Sequence, residues 1–159
     1  MEPGDTSLLR GFSVVSLEAK GRVAIPSRFR ARLYEQADGV LILTINPLDR
    51  CLWLYPLPEW EVIEHKLAHL SDFEPHSRRT KQMMRGHAME CECDNGGRIL
   101  IPQGLRDYAR LQKQVVFLGQ GNKCELWDEA LWEQQRQQWL RELGEHAGEP
   151  VEGLRTLTL

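Results

Sequence analysis

Two short segments of this chain share one arrangement of charge. Glu18-Ala-Lys-Gly-Arg22 and Asp94-Asn-Gly-Gly-Arg98 each place an acid four residues before an arginine, with a glycine directly before that arginine. Such a pair has two possible uses. The planar guanidinium can donate two hydrogen bonds to guanine O6 and N7 or meet a phosphate, or the acid and arginine can form a purely structural ion pair. In the first segment Lys20 sets a mobile cation beside Gly21, and glycine lets the backbone approach another molecule closely. In the second, Asn95 and Gly96 stand where Ala19 and Lys20 stand in the first, and the tip carries no cation. Arg28, Arg30 and Arg32 follow the first segment, whereas Arg106 and Arg110 follow the second with Asp107 between them. If either hairpin meets nucleic acid, the first is the one expected to face it, with Arg22 as base reader and Lys20 and Gly21 at the tip. Arg28, Arg30 and Arg10 are candidate phosphate contacts, with a solvated helix face as the alternative for Arg28 and Arg30. Glu18 is expected to hold Arg22 across the neck of its turn, and Asp94 to hold Arg98 as a structural pair.

The elements that must position these residues are themselves repeated. Gly21-Arg-Val-Ala-Ile-Pro26 matches Gly97-Arg-Ile-Leu-Ile-Pro102 at an offset of 76 residues, and the match extends to Arg30 and Arg106. It resumes at Leu54-Tyr55 against Leu126-Trp127 and at Trp60 against Trp132, now offset by 72. A repeat must be recognised before the fold is read. The first copy is placed at 12–59, followed by a helix to about residue 70, and the second at 88–131, followed by a helix to about residue 143. Residues 71–87 read as a polar connector and 144–159 as a tail. In each copy, β-prone runs flank a tight loop that ends in glycine, the usual residue for a positive φ. Pro26 and Pro102 end those strands and suit the first turn of the helices predicted to follow. "GVLILTI" and "CLWLY", and "QVVFLGQ" and "CELW", read as further strands. A unit of this size buries little surface alone, so two copies that interleave their hairpins are expected to share one core.

Composition narrows the function. The chain has 159 residues, 42% of them hydrophobic and 27% charged, which is the balance of an ordinary globular protein. No apolar run approaches the roughly 18 residues of a membrane span, and the N-terminus lacks the pattern of a signal peptide, so a cytoplasmic location is expected. The net charge of −3 conceals a gradient. Residues 1–35 carry six basic and four acidic side chains, Arg78 to Arg85 four basic and none acidic, and Glu125 to Glu149 seven acidic and two basic. The Arg78–Arg85 run is interrupted by Met83 and Met84 and fits a connector or subunit contact as well as a basic patch. Cys91 and Cys93 would share one face of a strand, but with His87 they lack a fourth ligand at a recognised zinc spacing, and no metal is expected. No nucleophile, base and orienting acid can be assembled by spacing, and no phosphate loop occurs, so the chain is expected not to be an enzyme and to take no small-molecule substrate.

The segments "RGFSVVSLEAKGRVAIPSRFR", "CLWLYPLPEWEVIEHKL", "QMMRGHAMECECDNGGRILIP" and "GQGNKCELWDEALWE" together resemble the MraZ family from Leu9 to about Leu143. The resemblance implies an α+β fold of two tandem AbrB-like swapped-hairpin repeats, forming one double-split β-barrel with flanking helices. It implies a nucleoid-associated transcriptional repressor of the bacterial division and cell-wall gene cluster. Such a protein binds double-stranded DNA at G-rich tandem promoter repeats as a ring-shaped homo-oligomer, without metal or organic cofactor. Two departures stand out: Glu18 replaces the family's usual aspartate, and about seven residues precede Leu8. An antitoxin-like or protein-interaction module of the same fold is the alternative, since fold alone does not fix function.

Overall fold

The computed structural model describes residues 9–149, 153 and 157, with residues 34–37 described as backbone only. The extra N-terminal residues and part of the expected tail lie outside the described residues. In chain order the elements are β1 (Phe12–Ser16), β2 (Arg22–Ala24), α1 (Ser27–Ala37), β3 (Val40–Ile45), β4 (Leu52–Pro56), α2 (Leu57–Ala68), α3 (Pro75–Gly86), β5 (Met89–Glu92), β6 (Arg98–Leu100), α4 (Gln103–Ala109), β7 (Gln114–Gly119), β8 (Cys124–Asp128) and α5 (Glu129–Glu145). With α3 set aside, the order strand, strand, helix, strand, strand, helix occurs twice.

The chain divides into two compact units, one ending at Glu129 and one beginning at Ala130. Nearly all of α5 belongs to the second unit, where the Trp132 and Trp139 rings meet edge-on with centroids 6.0 Å apart. The first unit holds both sheets and helices α1 to α4.

Its main sheet has six antiparallel strands in the order β1-β7-β8-β4-β3-β5. Each hairpin gives its first strand to the other repeat: β1 pairs with β7, and β5 pairs with β3. The second strands, β2 and β6, pair with each other as a separate two-stranded ribbon. This exchange explains why the sequence is duplicated, because neither repeat completes its own sheet. The core is shared as expected. Val23, Ile25, Phe29 and Leu43 from the first repeat pack with Ile99, Ile101, Leu105 and Phe117 from the second. The α+β composition and the tandem repeat are present, but among the described residues the strand pairing does not close into a barrel. β1 and β5 are the outer strands of an open sheet, and β2 with β6 stand apart because Pro26 and Pro102, which lack the N–H a ladder requires, end them after three residues.

The segment expected to be a polar connector contains α3. Glu74 caps it, its carboxylate accepting the His76 and Ser77 N–H groups at 3.0 and 2.6 Å, and Pro75 occupies the first turn. Met84 is buried against Tyr55, Trp60 and Leu67 on the opposite face of the sheet from the main core, while Met83 is exposed. Thr44, fully buried on β3, donates its hydroxyl to the Met84 carbonyl at 2.7 Å and ties the end of α3 to the sheet. Among the described residues, no helix is long and apolar enough to cross a membrane.

Candidate functional site

The two charged segments meet in the β2–β6 ribbon. Arg22 pairs with Leu100, Val23 with Ile99 and Ala24 with Arg98. Alternation along a strand sends Val23 and Ile99 into the core, where both are buried. It sends Arg22, Ala24, Arg98 and Leu100 to the other face, on which Arg22 and Leu100 are exposed. Both arginines therefore lie on one outward face. The ends of the ribbon are closed reciprocally: the Ile101 N–H donates to the Gly21 carbonyl at 2.8 Å, and the Ile25 N–H donates to the Gly97 carbonyl at 2.9 Å.

Each tip is a tight loop. The Glu18 N–H donates to Arg22 O at 2.7 Å and the Gly21 N–H to Glu18 O at 3.1 Å, and the same bonds recur from Asp94 and Gly97 at 2.9 Å each. Gly21 and Gly97 hold φ of 89° and 75°, in the region that favours glycine. Lys20 also has a positive φ, 68°, and projects from an exposed tip. A lysine held in that backbone conformation carries a local cost.

Glu18 does not pair within its own hairpin as the spacing suggests. Glu18 reaches across to the other repeat, its Oε2 accepting from Arg98 Nε at 2.7 Å, with both side chains about 40% exposed. Asp94 turns back on its own loop, with Oδ1 accepting the Gly96 N–H at 2.8 Å and the Arg98 N–H at 2.9 Å. The Arg98 N–H is the largest of the influences that hold the Asp94 carboxyl below its ordinary pKa of 3.8, followed by the Gly96 N–H and the charges of Arg98 and Arg22. Arg22 forms no ion pair among the described residues.

The other expected cations fall into two groups. Arg10 is exposed beside Leu9, which bridges to Gly121. Arg28 is exposed, donates Nη1 to the Phe12 carbonyl at 3.2 Å and lies 5.8 Å from the centre of the Phe29 ring. Arg30 is half-buried: it donates Nη2 to the Ile25 carbonyl at 2.9 Å and covers Gly97. Its Nε is buried with no hydrogen-bond partner among the described residues. Arg106 is the counterpart of Arg30. It donates Nε to the Ile101 carbonyl at 2.9 Å and covers Gly21. Sequence reasoning missed this clamp, although the equal spacing of Gly21 to Arg30 and Gly97 to Arg106 was its signal. It also missed Glu125, whose carboxylate accepts the Trp53 and Trp127 indole N–H groups at 2.9 Å each, with Lys123 4.8 Å from the centre of the Trp53 ring.

Cys91 is pushed up to about 12, chiefly by burial and then by the neighbouring Cys93 and Glu90, and burial raises Cys124 to about 12 as well. These thiols are poor nucleophiles near neutral pH.

The comparisons agree with the two-repeat reading. Residues 8–83 and 84–149 each match the family model described as "MraZ protein, putative antitoxin-like". A protein of Halorhodospira halophila named transcriptional regulator MraZ is 50% identical over 152 residues, covering 96% of this chain and 100% of its own length. A Methylococcus capsulatus protein of the same name is 49% identical over 135 residues, covering 85% and 88%. A third, from Klebsiella pneumoniae, is 47% identical over 152 residues, covering 96% and 100%.

Proposed function

The chain belongs to the MraZ family, and on that premise we propose how it acts as a transcriptional regulator: it binds duplex DNA through the outward face of the β2–β6 ribbon. The observation that carries this reading is the placement of Arg22 and Arg98 on that one face, with Lys20 exposed at the adjoining tip. Arg22 reads guanine edges, Lys20 meets phosphate, and the Gly21 tip provides the close approach. Arg10 and Arg28 add phosphate contacts. The fixed hydrogen bonds of Arg30 make it a support of the hairpins first and a phosphate contact second.

Further features extend the proposal. The open sheet and the ribbon are the two halves of an AbrB-like double-split barrel, with repeat cores at 12–59 and 88–131. The protein is a nucleoid-associated cytoplasmic repressor of the division and cell-wall cluster and assembles as a ring on tandem G-rich repeats. One ribbon neutralising two or three phosphates binds weakly at physiological salt. Several ribbons on one assembly raise the effective concentration of each later contact.

Titration of the protein against promoter duplexes with one, two and three repeats tests this reading. Affinity is expected to rise steeply with repeat number and to fall steeply with salt. Equal affinity for all three duplexes rejects the avidity mechanism, and unchanged promoter binding by Arg22→Ala rejects the ribbon as the contact surface. The family's antitoxin-like description favours a second reading, a module that binds a protein partner. That reading gains if the ribbon variants bind DNA normally.

A further inference from the structure

The two acids of the ribbon differ by one methylene, and they are used differently. Asp94 is short enough for Oδ1 to accept two N–H groups of its own loop, at 2.8 and 2.9 Å. Glu18 makes no capping hydrogen bond to its own turn. Its longer side chain extends over the ribbon and takes Arg98 Nε at 2.7 Å. The two arginines stand at matching places in the repeat, yet one is tethered and the other forms no ion pair among the described residues.

We propose that Glu18 is a positioning residue that divides the labour of the ribbon: by holding Arg98 through its Nε, it leaves Arg22 as the guanidinium that reads a base. This inference rests on the ribbon being the DNA-contacting surface. The physical argument has two parts. A guanidinium tied through Nε by a carboxylate is fixed in direction and has its charge offset, so it offers less to a passing phosphate. The tie is also half-exposed and therefore weak, so it biases Arg98 without locking it away. Two unrestrained arginines on one face would strengthen contact with any duplex, because phosphate contact is blind to sequence. One restrained and one free arginine favours discrimination.

Glu18→Asp is the test, because it keeps the charge and removes only the reach. The full chain is titrated by fluorescence anisotropy against a duplex of the division and cell-wall cluster promoter and against a shuffled duplex of equal length, across a range of salt. For Glu18→Asp, the slope of log affinity against log salt on the shuffled duplex is expected to steepen by about 0.9 for each ribbon engaged. The preference for promoter over shuffled duplex is expected to fall several-fold. The double variant Glu18→Asp, Arg98→Gln is expected to return the slope to its wild-type value, since the gain runs through Arg98. An unchanged slope in the single variant, or a slope that stays steep in the double variant, overturns the inference. Should Glu18→Asp melt early, Glu18→Gln decides, because it keeps the length and removes the charge that holds Arg98: a steeper slope with lower preference for the promoter supports the inference, and a wild-type slope and preference overturn it. Wild-type protein that binds the promoter no better than the shuffled duplex brings down the DNA reading and this inference together. Wild-type specificity with an unchanged Glu18→Asp slope brings down only the inference.

Discussion

The Arg106 guanidinium lies over Gly21, so close that a Cβ at position 21 would sit 2.8 Å from its Cζ. The first hairpin tip is thus roofed by an arginine of the second repeat, and Arg30 of the first repeat roofs Gly97 in return. Alanine at either glycine meets the guanidinium and an unfavourable φ, and at position 21 it also meets the Ile101 carbonyl oxygen at 2.8 Å. Gly121 provides the comparison, because its φ is 79° but no atom of the described residues lies within 4 Å of its Cβ position. Gly121→Ala is expected to cost about 1 kcal/mol from φ alone. Gly21→Ala and Gly97→Ala are expected to cost roughly 2–4 kcal/mol, as crowding adds to strain. Urea unfolding of the three variants checks the order, and a Gly97→Ala loss no larger than that of Gly121→Ala would show that Arg30 simply swings aside.

The same clamp separates arginines that hold the fold from one that faces outward. Arg30 and Arg106 each donate to a carbonyl at the end of the ribbon, at 2.9 Å. Removing a charged donor of this kind costs about 1.5–3 kcal/mol, so Arg30→Ala and Arg106→Ala are expected to lower the unfolding midpoint. Arg22→Ala, at an exposed position, is expected to change stability by less than about 0.5 kcal/mol. It is expected to weaken promoter binding by the roughly 1–3 kcal/mol of a bidentate base contact for each ribbon engaged. Parallel melting and anisotropy measurements on the three variants separate the two roles.

The duplication was legible because local rules repeat with it. Gly21 and Gly97 take the positive φ that hairpin loops need, and Val23, Ile25, Ile99 and Ile101 alternate into one core. The exchange of β1 and β5 was expected only as a general interleaving, since nothing within either strand states its partner. The Glu18 contact was not legible at all. An acid four residues before an arginine points to a pair within one hairpin, whereas Arg98 reaches Glu18 only because the antiparallel ribbon brings the two repeats side by side. Helix α3 was obscured by its charge: nine of its twelve positions are polar, basic or glycine, and one buried methionine fixes it. The Glu74-Pro75 start was the signal that could have revealed it.

Acid should act on the second tip through Asp94. Its folded pKa lies below the ordinary 3.8, so the contribution of its carboxylate to stability is present above about pH 4 and is lost as pH falls through that value toward the folded one. Asp94→Asn keeps an oxygen for the Gly96 and Arg98 N–H groups and removes the charge. Wild-type protein is therefore expected to lose its advantage over Asp94→Asn as pH falls from about 5 through 4 and below. Urea midpoints across that interval check this, and a constant difference would mean that the charge contributes nothing to the tip.

Met84 should govern α3. Its side chain is 4% exposed in the cluster with Tyr55 and Trp60, and its carbonyl accepts the hydroxyl of the fully buried Thr44 at 2.7 Å. Met84→Ala deletes buried apolar volume and is expected to cost about 2–5 kcal/mol. Met83→Ala, one position away and 36% exposed, is expected to cost less than about 1 kcal/mol. Thr44→Val keeps the shape but removes the donor, which leaves the Met84 carbonyl without that bond and costs about 1–3 kcal/mol. Because Met84 and Thr44 secure the same end of α3, their effects are expected to be non-additive, with a coupling of at least about 0.5 kcal/mol in a double-mutant cycle. Hydrogen exchange locates the effect: Met84→Ala should speed exchange across α3 while the amides of β2 and β6 stay protected. Equal acceleration in the ribbon would show that α3 and the candidate DNA surface unfold as one cooperative unit.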